Sequence, residues 1–175
     1  TGSLGQAASG LQLLTGYAKN NEILRQFPDL ISKQLTPTPR LKEALTIART
    51  KLATSMIDIS DGLAQDIGHI CNSSGVGVKI YEEKLPISSG VKKVASLINK
   101  KPLELALSGG EDYELCFTVP NKSVEKIIAI IEHETKTPVS IVGEILPKES
   151  GQLLVLKNGE IIPLPNSGWD HFINE

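Results

Sequence analysis

The sequence predicts a single α+β domain in which helices cover a mixed β-sheet, and three observations carry that prediction. Strand-like and helix-like segments interleave without the regular alternation of a doubly wound fold. An Asn158-Gly159 pair between two short apolar runs marks a hairpin, which requires antiparallel pairing. No composition shift, internal repeat or low-complexity tract divides the 175 residues. That length fits one domain and buries roughly 70% of the unfolded surface without help from disulfides or metal.

Each element follows from local pattern. A Gly-rich turn from Thr1 to Gly5 opens into a helix over Gln6 to Lys19, where Ala7, Leu11, Leu14 and Ala18 recur at helical spacing. Pro28, Pro37 and Pro39 punctuate a loop, after which Leu41, Ala44, Leu45, Ala48 and Leu52 form the stripe of a second helix. Ser55 to Ser60 reads as a short strand that runs through Asp61-Gly62 into a third helix, with Leu63, Ile67 and Ile70 inward and Ser73-Ser74-Gly75 as its stop. Val76, Val78 and Ile80 alternate as a strand that Leu85-Pro86 ends, and Val91, Val94, Ala95 and Ile98 predict another helix. A short helix from Pro102 to Leu107 meets the loop Ser108-Gly109-Gly110-Glu111-Asp112. Tyr113 to Val119 follows as a buried strand and Ser123 to Glu134 as an amphipathic helix. Val139 to Ile145 and Leu153 to Leu156 are the last predicted strands before the turn into Glu160 to Ile162.

Composition excludes several functions. Eighteen Lys and Arg oppose 20 Asp and Glu, a formal charge of −2, which leaves no broad basic field for nucleic acid. The longest apolar run, Ile127 to Ile131, is far short of the ~18–20 residues of a membrane span. The start shows no signal-peptide pattern, so a cytoplasmic protein with no membrane partner is expected. Cys71 and Cys116 lie far apart with no Cys-x-x-Cys or Cys/His spacing, and both are expected to be buried reduced thiols. Thr1 opens the chain without Met, as if in mid-loop, which predicts a fragment of a longer protein.

Two clusters have residues suited to chemistry. With Ile57 and Ile59 pointing inward, alternation puts Asp58 and Ser60 on the opposite face, with Asp61 following at the turn. Two carboxylates and a hydroxyl suit Mg²⁺, a hard ion held by one or two carboxylates with waters and phosphates. Helix capping by Ser60 and a first-turn Asp61 is the competing structural reading, and it leaves Asp58 unexplained. In the second cluster, Gly109 and Gly110 precede Glu111 and Asp112. The glycines allow close backbone approach to a ligand and Glu111 offers acceptors to a cationic or amino-bearing ring; the alternative is a tight turn with solvated acids. No Gly-Lys-Ser/Thr of a P-loop is present.

The remaining candidates are weaker. The Thr1 to Gly5 loop precedes a helix and either offers N–H groups to an anion or is an ordinary turn. Trp169, the only tryptophan, either stacks on a planar ligand or pins the C-terminal tail. His69, His133 and His171 have no partners at ligand spacing, and no Ser/His/Asp or Cys/His arrangement can be argued.

Three strings, MIDISDGLAQDIGHI from Met56, ALSGGEDYELCFTVP from Ala106 and TGSLGQAASGL from Thr1, together resemble the C-terminal half of the bacterial thiamine-monophosphate kinase family. That family belongs to the superfamily of aminoimidazole-ribonucleotide synthetase, and the resemblance runs from Thr1 through Gly168-Trp169-Asp170-His171-Phe172. It implies the C-terminal domain fold of that superfamily and ATP-dependent phosphorylation of thiamine monophosphate with several Mg²⁺ ions. By resemblance Asp58 and Asp61 are metal ligands, Ser60 contacts ATP, and Glu111 and Trp169 contact the thiamine moiety. It also implies that residues 1–175 are the substrate-side domain. The N-terminal domain, with further metal-binding aspartates, most ATP contacts and the homodimer surface, lies outside this chain, which is expected to be inactive alone. An enzyme of the same superfamily with another acceptor, or a non-catalytic binding or interaction module, are the alternatives.

Overall fold

The structure, a computed structural model, describes residues 1–165. The N-terminal third is helical: α1 (Gln6–Gly16), α2 (Asn21–Leu24), α3 (Pro28–Leu35) and α4 (Leu41–Thr50). Strand β1 (Ser55–Ile59), helix α5 (Leu63–Ser74) and strand β2 (Val76–Tyr81) follow, then α6 (Ser89–Leu97), α7 (Pro102–Ser108), β3 (Glu114–Thr118) and α8 (Val124–Thr135). Three strands complete the described chain: β4 (Gly143–Pro147), β5 (Gln152–Val155) and β6 (Ile161–Pro163).

The class is the expected mixed α+β one, and its strands divide into two sheets. β1 pairs antiparallel with β3, setting Asp58 opposite Leu115 and Ile59 opposite Glu114. The second sheet has the order β4-β2-β5-β6, with β2 and β5 parallel and the other pairs antiparallel. Asn158-Gly159 turns β5 into β6 as predicted, with Gly159 at φ +85° and Leu156 N–H donating to the Glu160 carbonyl at 2.8 Å.

Three apolar clusters hold these layers together. Ile59, Leu63, Ile67, Val78, Ile80 and Leu107 bring β1, α5, α7 and β2 to one core. Leu13, Leu30, Val91, Val94 and Leu105 join α1, α3, α6 and α7. Ile47, Leu115, Ile127 and Ile131 pack α4 and α8 onto β3. Full burial of each such side chain contributes roughly 1.5–3 kcal/mol, which offsets the entropy of ordering the chain around it.

Four details differ from expectation. The segment with Pro28 is a helix, because proline at the first helical position lacks only an N–H that would be unpaired there, and Leu30 is buried against α1. Helix α1 ends at Gly16, before Lys19. The ladder of β4 begins only at Gly143, leaving residues 139–142 outside either sheet. Cys71 is buried as expected, whereas Cys116 is only partly so; both are free. No described helix is long and apolar enough to cross a membrane.

Candidate functional site

Between the end of β1 at Ile59 and the start of α5 at Leu63, three residues turn the chain. Gly62 adopts φ +111°, and a Cβ on it would stand 2.7 Å from the Leu107 carbonyl oxygen, so the turn and the close approach to α7 both require glycine. Gly62 is the N-cap residue of α5 and no side chain caps that helix. The capping reading of Ser60 and Asp61 is therefore wrong. The turn is held instead by Asp66, 1% exposed, whose Oδ2 accepts the N–H groups of Ser60 (3.1 Å) and Asp61 (3.2 Å). Burial raises the Asp66 carboxyl above its ordinary range, the backbone amides oppose this, and the neighbouring charges of Asp61 and Asp58 add to it.

Alternation in β1 acts as the sequence implies. Ile59 is buried and Ile57 partly so, Asp58 is exposed on the other face, and Ser60 and Asp61 are half-buried at the turn. Asp61 Oδ2 accepts a bond from Gln65 Nε2 at 3.4 Å. Ligand atoms of Asp61, Asp66 and His69 all lie within 4.8 Å of one another. His69 thus has neighbours of ligand type, which corrects the reading that it had none. Asp66 and His69 sit three apart on one helix face, a spacing present in the sequence, and only the turn brings Asp61 to them. Oxygen donors dominate this group, and with exposed Asp58 beside it the donor set fits a hard cation such as Mg²⁺.

The glycine loop docks on the same turn. Glu111 N–H donates to the Ser60 carbonyl at 2.8 Å and Tyr113 N–H to the Ile59 carbonyl at 2.9 Å. A Cβ on Gly110 would lie 2.5 Å from the Ser60 oxygen, so glycine is what permits this contact. Glu111 takes φ +66°, and its exposed side chain accepts from Gln34 Nε2 of α3 at 2.6 Å. Asp58, Ser60, Asp61 and Glu111 are therefore brought to one locality. Trp169 lies outside the described residues.

Asp112 is not a solvated acid. It is 7% exposed, and it accepts Gly5 N–H on Oδ2 (2.6 Å) and Ala7 N–H on Oδ1 (3.0 Å). Burial lifts its carboxyl to about 6 against the pull of those amides. The amide groups proposed to meet an anion at the start of α1 are thus taken by the protein's own carboxylate. Two residues on, Glu114 accepts the Thr1 hydroxyl at 2.8 Å, so alternate acids of one segment hold both ends of the Thr1 to Gly5 loop. Sequence reasoning missed Asp66, Glu114 and Arg40, and it named Asp112 without its buried role. The only signal for the roles of Asp112 and Glu114 was a pair of acids at alternate positions entering an apolar strand.

Residues 3–155 match the family described as AIR synthase related protein, C-terminal domain. The thiamine-monophosphate kinase of Buchnera aphidicola subsp. Schizaphis graminum is 38% identical over 175 residues, which cover 99% of this chain and 51% of that protein. The crystal structure of thiamine monophosphate kinase from Aquifex aeolicus superposes with a TM-score of 0.73 at 32% identity, covering 93% of this chain and 50% of that one. The structure of AaThiL complexed with AMPPCP and TMP gives a TM-score of 0.76 at 33% identity, over 98% of this chain and 50% of the other. The chain spans about half the length of the curated relatives it matches.

Proposed function

We propose phosphoryl transfer as the function, taking as premise that this chain belongs to the AIR synthase related protein family, whose C-terminal domain it matches. In the whole protein, the γ-phosphoryl of ATP passes to the phosphate of thiamine monophosphate. A P–O bond forms at an oxygen of the acceptor phosphate, the bond from Pγ to the bridging oxygen breaks, and ADP and thiamine diphosphate leave. The observation that carries this reading is the hydrogen bond from Glu111 N–H to the Ser60 carbonyl, which makes one site of the Asp58-Ser60-Asp61 turn and the glycine loop. The names of the relatives support the acceptor, and AMPPCP, a non-hydrolysable ATP analogue bound with TMP in a solved neighbour, supports the donor.

Such a reaction depends mainly on positioning and on neutralising charge, so a site of carboxylates and backbone amides without a nucleophile suits it. Asp58 and Asp61 would hold Mg²⁺, which when bound offsets the phosphate charge that these carboxylates would otherwise repel. Ser60 contacts ATP, and Glu111 and Trp169 contact the thiamine moiety. Asp66 positions Asp61 through the turn. In this reading residues 1–175 are the substrate-side domain and inactive alone, and the whole protein works in the cytoplasm as a homodimer joined through its N-terminal domain. It has no nucleic-acid or membrane partner.

The test is Asp58→Asn together with Asp61→Asn in the whole protein, assayed by coupled ADP release with thiamine monophosphate as acceptor. Turnover is expected to fall by on the order of 100-fold or more, with the far-UV spectrum unchanged. Unchanged turnover would remove both residues from the mechanism.

A further inference from the structure

A groove of about 470 Å³ opens between the two sheets. Its walls are runs of consecutive residues, Leu115 to Val119 along β3 and Val139 to Ile145 leading into β4. A strand presents alternate residues from its face and consecutive ones from its edge. β2, which contributes only Val78 and Ile80 to the floor, shows the first pattern, and the walls show the second. Among the described residues, β3 pairs only with β1 and β4 only with β2, so each strand has an open edge on the groove, and residues 139–142 continue the second wall beyond the β4 ladder. Sheet edges are ordinarily guarded by charge, proline or a bulge. Phe117, Val119, Val139, Ile141 and Val142 supply no charge, Glu144 is the one charged residue of the two walls and is paired with Lys79 at 3.5 Å, and Ile141 is 53% exposed.

The start of the chain closes one end of this groove. The Thr1 amino group donates to the Leu115 carbonyl at 2.8 Å, Leu115 N–H donates to Thr1 Oγ1 at 2.8 Å, and Gly2 N–H donates to the Pro138 carbonyl at 2.9 Å. Thr1 and Gly2 thus bridge the two walls as one residue pair of a strand would. Leu115 turns its peptide groups to the groove, so alternation turns those of Phe117 and Val119 the same way. Burial lowers the pKa of the Thr1 amino group. A peptide N–H at that point would make the same bond without desolvating a charge.

We infer that the groove seats one further β-strand, formed by the polypeptide that immediately precedes Thr1 in the whole protein. It joins both sheets into one, in the order β1-β3-new strand-β4-β2-β5-β6. Its direction follows from the ends: the walls run from Leu115 to Val119 and from Val139 to Ile145 away from Thr1, so a chain arriving at Thr1 along them is antiparallel to both. About five residues span Leu115 to Val119 at a strand's rise per residue. This chain covers 51% of the Buchnera protein, so relatives of its family are long enough to carry such a strand. The inference is independent of the proposed phosphoryl transfer.

Hydrogen exchange read by mass spectrometry on the whole protein tests it, with the β2 peptide as internal reference. Peptides covering 115–119, 139–143 and the residues just before Thr1 are expected to exchange together, about 100-fold or more slower than the 157–160 turn, at every protein concentration. Proline placed three residues before Thr1 is expected to strip protection from both walls at once. Fast exchange in the walls while β2 stays protected would overturn the inference, as would walls that keep their protection in the proline variant. Protection lost on dilution would overturn it too, because the occupant would then be a second copy.

Discussion

The Arg40 guanidinium grips the Glu114 carboxylate with two bonds, Nε to Oε2 at 2.8 Å and Nη2 to Oε1 at 2.6 Å. Glu114 is 1% exposed, and the pair fixes the start of α4 to β3 beside the Thr1 hydroxyl. The bidentate fork raises the Arg40 pKa, chiefly through its hydrogen bond to Glu114.

Arg40→Ala strands a buried carboxylate and should cost about 3–5 kcal/mol, read by urea denaturation. The double replacement Arg40→Met with Glu114→Leu should recover part of that loss, because it removes both charges of this pair while Glu43, 3.4 Å from Arg40, still loses its cation. A single-variant cost under about 1 kcal/mol would mean that water reaches Glu114 in solution.

Asp112 should make stability depend on pH. Its folded pKa of about 6 lies above the ordinary aspartate value of 3.8, so the unfolded chain gives up this proton first. Stability from this group is therefore full below about pH 4 and declines as pH rises to about 6. Denaturation of wild type and Asp112→Asn at several pH values isolates the effect, and identical slopes in the two would refute it. Asn also lacks one acceptor, so Gly5 or Ala7 N–H loses its partner at a cost of about 1–3 kcal/mol.

Gly110→Ala forces a Cβ to 2.5 Å from the Ser60 oxygen and should push the glycine loop off the turn. We expect a loss of about 1–3 kcal/mol and a fall in activity of the whole protein. Gly16→Ala, which meets nothing within 4 Å at the end of α1, is the matched control and should be neutral or slightly stabilising by thermal melts. Equal melting temperatures for the two variants would count against the docked loop.

Asp66→Ala leaves the Ser60 and Asp61 amides unpaired and should lower activity of the whole protein through the position of Asp61. Asp66→Asn keeps an acceptor and should restore much of it. Steady-state kinetics of both variants checks this, and two equally inactive proteins would mean that Asp66 acts by its charge rather than through the turn.

Much of the fold is legible where its causes are local. The 3.6-residue stripe of α5, the alternation of β2 and the Asn158-Gly159 turn each need only neighbours in the chain. Residues 28–35 were illegible because proline either stops or starts a helix, and what decides is Leu30 finding a buried place against α1. Residues 139–142 have the apolar pattern of a strand, yet a ladder needs a partner edge, which pattern alone cannot supply.

The same division runs through the candidate site. Asp58, Ser60, Asp61 and Glu111 could be named from residue type and spacing, since strand alternation and glycine turns are short-range properties. What the sequence by itself determined was therefore the residue types, the elements and the resemblance. Only the tertiary structure decided what each polar group does: that Asp112 caps the start of α1 across 107 residues, that Glu114 takes Arg40 across 74, and that Asp66 rather than Ser60 holds the turn. The physical reason is that a buried polar group must find a partner in space, and nothing in local periodicity records which distant donor the fold will bring to it.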